Sequence, residues 1–554
     1  MQSYRGNIVD VRARTIFCGQ VQVERGKITD IVHLGEEEQG QPYLLPGLVD
    51  AHVHIESSML TPDEFGRAAL RHGVLASVSD PHEIANVLGV AGIDYMRERA
   101  SLTPFTILFG APSCVPATPF ESAGAAIDAG TVRSLLESGK TGYLSEVMNF
   151  PGVLARDPEV MEKINAAKAL GLPIDGHAPG LLKADAKQYA DASISTDHEC
   201  TNLEEAIDKI NAGMKILIRE GSAAKDFESL HSLIDSHCDN VMLCSDDKHP
   251  DDLLEGHIDL LVKRALEKGH DLFNVLQTAT VNPITHYQMK IGLLQIGDSF
   301  DAIQVNNLTH FKTQKVWLKG ELVVDASRCL LTHKTAKVLN HFAALPLTET
   351  DLKLPHPQSP CRVIIAEDGK LFTRQEIHNM PCIDEHIAAD LDNDILFLAV
   401  LNRYQHSAPA VALIKGFTLT GANKQGGAIA SSVAHDSHNI VAVGTSANWL
   451  SKAINAVIEE QGGLVAIDQT GELRLPLPVA GLMSDAPIEE VGPAYRALND
   501  KAKAMGSQLS SPFMTLSFMS LLVIPALKLS DKGLFDGSRF EFCDLAVAEE
   551  DVAP

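Results

Sequence analysis

The chain is short of positive charge. Its 554 residues carry 46 lysines and arginines against 72 aspartates and glutamates, a formal net charge of −26. That balance argues against non-specific binding to nucleic acid or to anionic membrane, which need a basic surface, and favours solubility. The nine cysteines are scattered, with no Cys-X-X-Cys pair, which fits structural thiols in a reducing compartment better than a disulfide scaffold. The opening residues, Met1-Gln2-Ser3-Tyr4-Arg5-Gly6, lack an apolar signal core. The longest late apolar run, residues 513–527, is interrupted by Thr515, Ser517 and Pro525 and falls short of a membrane span. These absences predict a cytoplasmic protein. No phosphate loop is complete either, because Gly139-Lys140-Thr141 has Ser134 where the earlier glycine is required. Length alone predicts about three to four folding units.

Against these absences stands one stretch, Leu44-Leu45-Pro46-Gly47-Leu48-Val49-Asp50-Ala51-His52-Val53-His54. An apolar run after a Pro-Gly break predicts a buried strand, on which residues i and i+2 share a face. His52 and His54 then project together from the strand's end. Two imidazoles so placed can share a metal ion or rest as paired core histidines.

Residues 1–45 alternate apolar and polar in short pieces separated by Gly19 and Gly26, and a similar texture returns at 300–327. This predicts a small β-sandwich domain built from 1–45 and 300–327, flanking one central block. Within the block, eight apolar runs at 48–55, 74–78, 105–109, 143–148, 173–174, 192–196, 215–218 and 241–244 alternate with helical stretches such as 158–169 and 203–211; a further helix, 253–268, follows the last. Eight strands alternating with helices over about 250 residues have the size and rhythm of an α/β fold, the (β/α)8 TIM-type barrel, here 46–299.

Chemistry-bearing residues close nearly every run: His52 and His54; Asp80, His82 and Glu83; Glu146; His177; His198; Arg219 and Glu220; Asp246. In a barrel these ends meet on one face, where such folds keep their chemistry. Four histidines and two carboxylates, His52, His54, Glu146, His177, His198 and Asp246, with a shared water, suit a binuclear divalent metal centre with ions roughly 3.5–4 Å apart. Glu146 is the expected bridge, since each carboxylate oxygen can hold one ion. His52, His54 and Asp246 would complete one ion, and His177 and His198 the other. Asp246 is the natural acceptor of a proton from the water and its donor to a leaving group.

Longer blocks now carry a resemblance. His54-Ile55-Glu56-Ser57-Ser58-Met59-Leu60, Asp80-Pro81-His82-Glu83-Ile84-Ala85-Asn86, Glu146-Val147-Met148-Asn149-Phe150-Pro151, Asp175-Gly176-His177-Ala178-Pro179-Gly180, Arg219-Glu220-Gly221-Ser222 and Ser245-Asp246-Asp247-Lys248-His249-Pro250 resemble the adenine deaminase family of the amidohydrolase superfamily along nearly the whole chain. Many amidohydrolases bridge their metals with a carboxylated lysine on the fourth strand; no lysine lies between 141 and 162, and Glu146 stands there instead. The resemblance implies hydrolysis of adenine to hypoxanthine and ammonia in purine salvage, a manganese or iron(II) pair (zinc possible on the donor set alone), and a homodimer or homotetramer. The cytidine-deaminase type of zinc site is missing: Pro381-Cys382 is followed by Ile383-Asp384-Glu385, with no partner cysteine.

Asp80, His82 and Glu83 admit two readings. They form a helix N-cap and first turn, or they support the metals, bind a further metal or touch the purine; His82 is the one expected to act in catalysis. Arg219 and Glu220 are candidates for the purine edge, or for an ion pair at the barrel rim. Ser57 and Ser58 are expected as loop hydrogen bonders. The rival functions are another amidohydrolase acting on a cyclic amide or a related 6-aminopurine, and a non-catalytic assembly protein, which the full ligand set opposes.

Residues 328–360, with Pro346, Pro355, Pro357 and Pro360, read as a connector, and 361–554 as a C-terminal α/β domain, with strands near 361–366, 395–400, 410–415, 440–443 and 464–468 and a helix at 448–460. Ala434-His435-Asp436-Ser437-His438-Asn439 has ligand-type spacing but reads better as an exposed polar turn. The run 513–527 reads as a buried strand or an interface.

Overall fold

At Gly47 the chain passes from one sheet into another. In the computed structural model, which describes residues 2–421 and 425–547, the strand Tyr43–Pro46 ends one sheet segment and Leu48–Val53 opens the next. A Cβ on Gly47 would lie 2.3 Å from Leu75 Cδ2, so any larger residue here would have to displace the Leu75 side chain. Residue 1 of the expected N-terminal unit, and 422–424 and 548–554 of the C-terminal one, lie outside the described residues.

The chain forms two compact units. One holds Met1–His82, Asp94–Cys114 and Ile127–Thr335, the other Glu83–Ile93, Val115–Ala126 and Ala336–Pro554. In the first unit, strands from both ends of the barrel segment share one eight-stranded sheet. Tyr43–Pro46 joins them, parallel to Gln2–Asp10 and antiparallel to Ala302–Val305. Its core gathers Ile8, Val21, Leu44, Phe300 and Trp317, with Tyr4 stacked on Phe300.

The barrel follows as eight parallel strands: Leu48–Val53, Val74–Ser79, Thr106–Ala111, Tyr143–Val147, Ile174–Gly176, Thr196–Asp197, Lys215–Arg219 and Val241–Cys244. The first five and the last three form continuous ladders. A backbone bond from Ser195 to Ile174 links the two ladders, and Asp246 N–H bonded to His52 C=O closes the ring. The helices Pro158–Ala169 and Leu203–Asn211 lie where the periodicity predicts them, capped by Asp157 and Asn202. The expected helix at 253–268 is two, Pro250–Glu255 and Ile258–Glu267. The break falls at Gly256-His257, where the His257 amide turns to Asp259 Oδ1 instead of continuing the first helix.

The second unit is built on an eight-stranded, mostly antiparallel sheet. Its helix Ala447–Glu459 lays Leu450, Ala453, Ile454 and Val457 on that sheet's core, at helical spacing. The run 513–527 is not a strand. Ser511-Pro512 starts a short helix, Pro512–Ser517, turns follow, and pairing begins only at Leu527. No helix among the described residues is long and apolar enough to cross a membrane, and all nine cysteines are free thiols.

Candidate metal centre

Most of the barrel strands deliver a polar end to one place. His52 and His54 leave the first strand together, and the left-handed backbone at Asp246 (φ 56°) sits against them, with His54 N–H bonded to Asp246 C=O. A non-glycine residue held in that region stores strain and is a common mark of a functional site. His52 Nε2 lies 3.6 Å and His54 Nε2 3.2 Å from Asp246 Oδ1.

Glu146 is the hub. Its Oε1 lies 3.4 Å from His54 Nε2 and 3.3 Å from His82 Nδ1, and its Oε2 lies 2.8 Å from His177 Nδ1 and 3.1 Å from His198 Nε2. The carboxylate therefore faces His54 of the first strand and His82 beyond the second with one oxygen, and the fifth- and sixth-strand histidines with the other. Except for His177, a quarter exposed, these side chains are almost wholly buried.

Such a cluster of histidines and carboxylates fits a divalent metal centre. Overlapping groups, His52, His54 and Asp246; His52, Glu146 and His198; His177, His198 and Glu199, converge their ligand atoms within 4.8 Å. Both ring nitrogens of His52 are buried without a hydrogen-bond partner. That is costly for a core histidine, and a lone pair aimed at an ion would account for one of the two nitrogens. The charges of this cluster lean on one another. Burial opposes charge at Glu146, but His177 and His198 hold its carboxyl well below the usual range. Burial likewise disfavours charge at His177, and the Glu199 and Glu146 carboxylates outweigh it, lifting this histidine to about 9. Asp246, also buried, is held well down by His52, His54 and Arg219.

Asp80 caps the helix that opens at His82 and also meets the His82 ring. Oδ1 accepts the His82 backbone N–H as a cap, and Oδ2 lies 3.1 Å from the His82 ring Nδ1. Arg219 takes the ion-pair reading: Nε donates to Asp226 Oδ2 at 3.0 Å, Nη1 to Asp246 Oδ2 at 3.1 Å and both terminal nitrogens to Glu199. Glu220, expected at the purine edge, is tied elsewhere, to Arg264 and the Phe227 backbone N–H. Both oxygens of Glu83 are engaged by His435 and His438. Ser57 donates to Asp247 and Ser58 to Ile55 C=O.

Sequence reasoning missed Glu199, the anionic partner of Arg219, although its place directly after His198 at a strand end was the available signal. It also missed the supports behind the strand ends. Asp175 accepts from Tyr287 Oη and Thr196 Oγ1, both at 2.8 Å, and Asp50 accepts from the Ser245 backbone and hydroxyl. Burial raises both carboxyls to about 7.

A barrel whose strand ends hold this donor set defines a metal-dependent hydrolase of the amidohydrolase class, and the amidohydrolase family model matches residues 43–323. The adenine deaminase C-terminal domain model matches residues 370–541. Among curated proteins, an adenine deaminase of Salinibacter ruber is 51% identical over 98% of each chain. One of Methanosarcina barkeri is 48% identical over 99% of this chain and 100% of its own, and one of Borreliella burgdorferi 42% identical over 97% and 98%. The chain belongs to the adenine deaminase family.

Proposed function

We propose that this chain hydrolyses adenine to hypoxanthine and ammonia, serving purine salvage, with two divalent ions held by His52, His54, Glu146, His177, His198 and Asp246. The observation that carries the reading is the Glu146 carboxylate, whose two oxygens face histidines from different strands. When bound, the ions supply Lewis acidity and make a water molecule acidic near neutral pH.

The protein's own groups handle the protons. Water oxygen adds to C6, the C6–N6 bond breaks and ammonia leaves, so the water gives up both protons, one to the departing amine and one to N1, and C6 ends as the carbonyl of hypoxanthine. Asp246 is positioned for the first of these transfers. Arg219 holds Oδ2 at 3.1 Å and leaves Oδ1 facing His52 and His54. His52, His54 and Arg219 together outweigh burial and keep the carboxyl ionised, ready to accept. Arg219 acts through Asp246, not on the purine. His82, kept by Asp80 as an Nδ1–H donor, is a second proton-handling group beside Glu146. Manganese or iron(II) is the metal we favour from the family resemblance, with zinc accepted by the same donors. A cytoplasmic homodimer or homotetramer completes the reading.

The test pairs two substitutions. Glu146→Gln removes an anionic bridge and is expected to lower bound metal and abolish turnover together. Asp246→Asn is expected to retain most metal yet lose about 100-fold or more in turnover, as general acid–base groups typically contribute. Metal analysis beside ammonia release reads both. Parental rates in either variant contradict the roles assigned.

A further inference from the structure

The segment Ala434–Asn439 reads in sequence as an exposed polar turn, and it is buried throughout. Its two histidines meet on one carboxylate. His435 Nδ1 lies 2.5 Å from Glu83 Oε1, and His438 Nε2 bonds Glu83 Oε2. All three side chains are at most 5% exposed.

The alternative for two histidines and a glutamate is a metal site, and the hydrogen bonding opposes it. The Ala434 backbone N–H donates to His438 Nδ1 at 3.2 Å. A neutral imidazole that accepts at Nδ1 carries its proton on Nε2. The nitrogen facing Glu83 is then a donor, without the lone pair a ligand needs. Burial keeps this histidine neutral, its pKa pushed down to about 4. Glu83 is held from two sides by imidazoles, and the one from His438 reaches it as an N–H donor.

The holder is rigid. His435 stacks on Phe518 with ring centroids 4.7 Å apart, and its amide donates to Ser517 C=O. The His438 amide returns to Ala434 C=O at 2.7 Å. Tyr404 Oη donates to the Ser437 carbonyl, and Asn439 Nδ2 to the Ser122 carbonyl. Glu83 is the second residue of the helix His82–Leu88, and His82 is the first. Neighbouring residues on a helix project about 100° apart. Fixing the Glu83 side chain therefore fixes the rotation of that first turn, and with it the direction in which His82 presents its ring to Asp80 and Glu146.

We propose that Glu83, gripped by His435 and His438, is a positioning residue that aims His82 in the hydrolytic reaction. The inference rests on the adenine-hydrolysis reading, since it assigns the grip to that reaction. It also explains what the C-terminal histidines do, which the metal centre itself does not use.

The experiment compares donor-removing with donor-keeping variants of the full chain. His435→Ala and His438→Leu delete the N–H groups. His435→Asn and His438→Gln place an amide N–H near the lost Nδ1 and Nε2 positions. Steady-state kinetics on adenine, the pH profile of kcat and bound metal per chain are measured for each. The expected result is a loss of about tenfold or more in kcat for Ala and Leu, with KM and metal content near the parent and a displaced pH profile, and recovery of most of kcat in Asn and Gln. Parental kcat and pH profile in the Ala and Leu variants would overturn the proposal. Equal loss in all four variants together with lost metal would also overturn it, in favour of a metal site. Glu83→Gln, which keeps size and shape, is read in parallel should the Ala or Leu variants fail to fold: an unchanged kcat there overturns the proposal and a tenfold loss supports it. Absence of adenine turnover in the parent itself would be a failure of the functional reading instead.

Discussion

Lys209 shows how a charge behind the site is kept in place. Its ammonium is fully buried, donating to Glu205 Oε1 at 2.8 Å and Ala178 C=O at 2.6 Å and lying 3.0 Å from Asp197. Burial resists the charge, and the Asp197 carboxylate outweighs it, so the lysine stays protonated. Asp197 directly precedes His198. Lys209→Met is expected to destabilise the protein by about 3–5 kcal/mol, because two carboxylates lose their buried counter-charge. Chemical denaturation reads it, and a change under 1 kcal/mol contradicts the account. His177 makes a second residue-scale prediction. In metal-free protein its pKa of about 9 lies above its unfolded value. Its contribution to stability is therefore complete below about pH 6.5 and lost as pH rises through 9. Metal binding must displace the same proton. Apparent affinity is expected to rise up to about tenfold per pH unit between 7 and 9, with proton release seen in pH-stat titration. Uptake without protons contradicts it. At this scale the clustered histidines and carboxylates were legible because strand ends advertise them. The Glu83 grip was not, since its partners stand 352 and 355 positions away.

Among elements, the seventh and eighth barrel strands show how tightly the site is framed. A Cβ on Gly221, just after Lys215–Arg219, would lie 2.5 Å from Ser245 C=O and 2.7 Å from Asp247 C=O. Both contacts are backbone, on either side of Asp246. Gly221→Ala is expected to displace Asp246 and lower kcat by up to about 100-fold, the cost of misplacing a reacting group by roughly 1 Å, while global stability falls far less. Comparison of kcat with thermal stability decides; wild-type kcat contradicts the framing. The eight strands were legible because each is an apolar run closed by polar residues. The divided helix at 250–267 and the helix at 512–517 were not. Continuous apolar content hides a break made by one side-chain cap, as at His257-Asp259, and Thr and Ser within 513–527 do not distinguish a buried helix from a strand.

For the molecule as a whole, the β pieces at either end of the barrel segment share one sheet, as their matching texture implied. The sequence could not show that Glu83–Ile93 and Val115–Ala126 leave the barrel segment to join the C-terminal unit. There, Lys532 Nζ donates to the Pro119 and Glu121 carbonyls and Phe120 packs on Phe535. Such long-range pairings have no local periodicity to announce them. The fold and the ligands support one chemistry, and the measurement that tests it most directly is ammonia release from adenine by manganese-reconstituted protein, with adenosine, guanine and dihydroorotate in parallel. The account predicts turnover of adenine and none of the others. No release from adenine, with hydrolysis of the cyclic amide instead, would keep the barrel and its metal ligands and contradict the substrate.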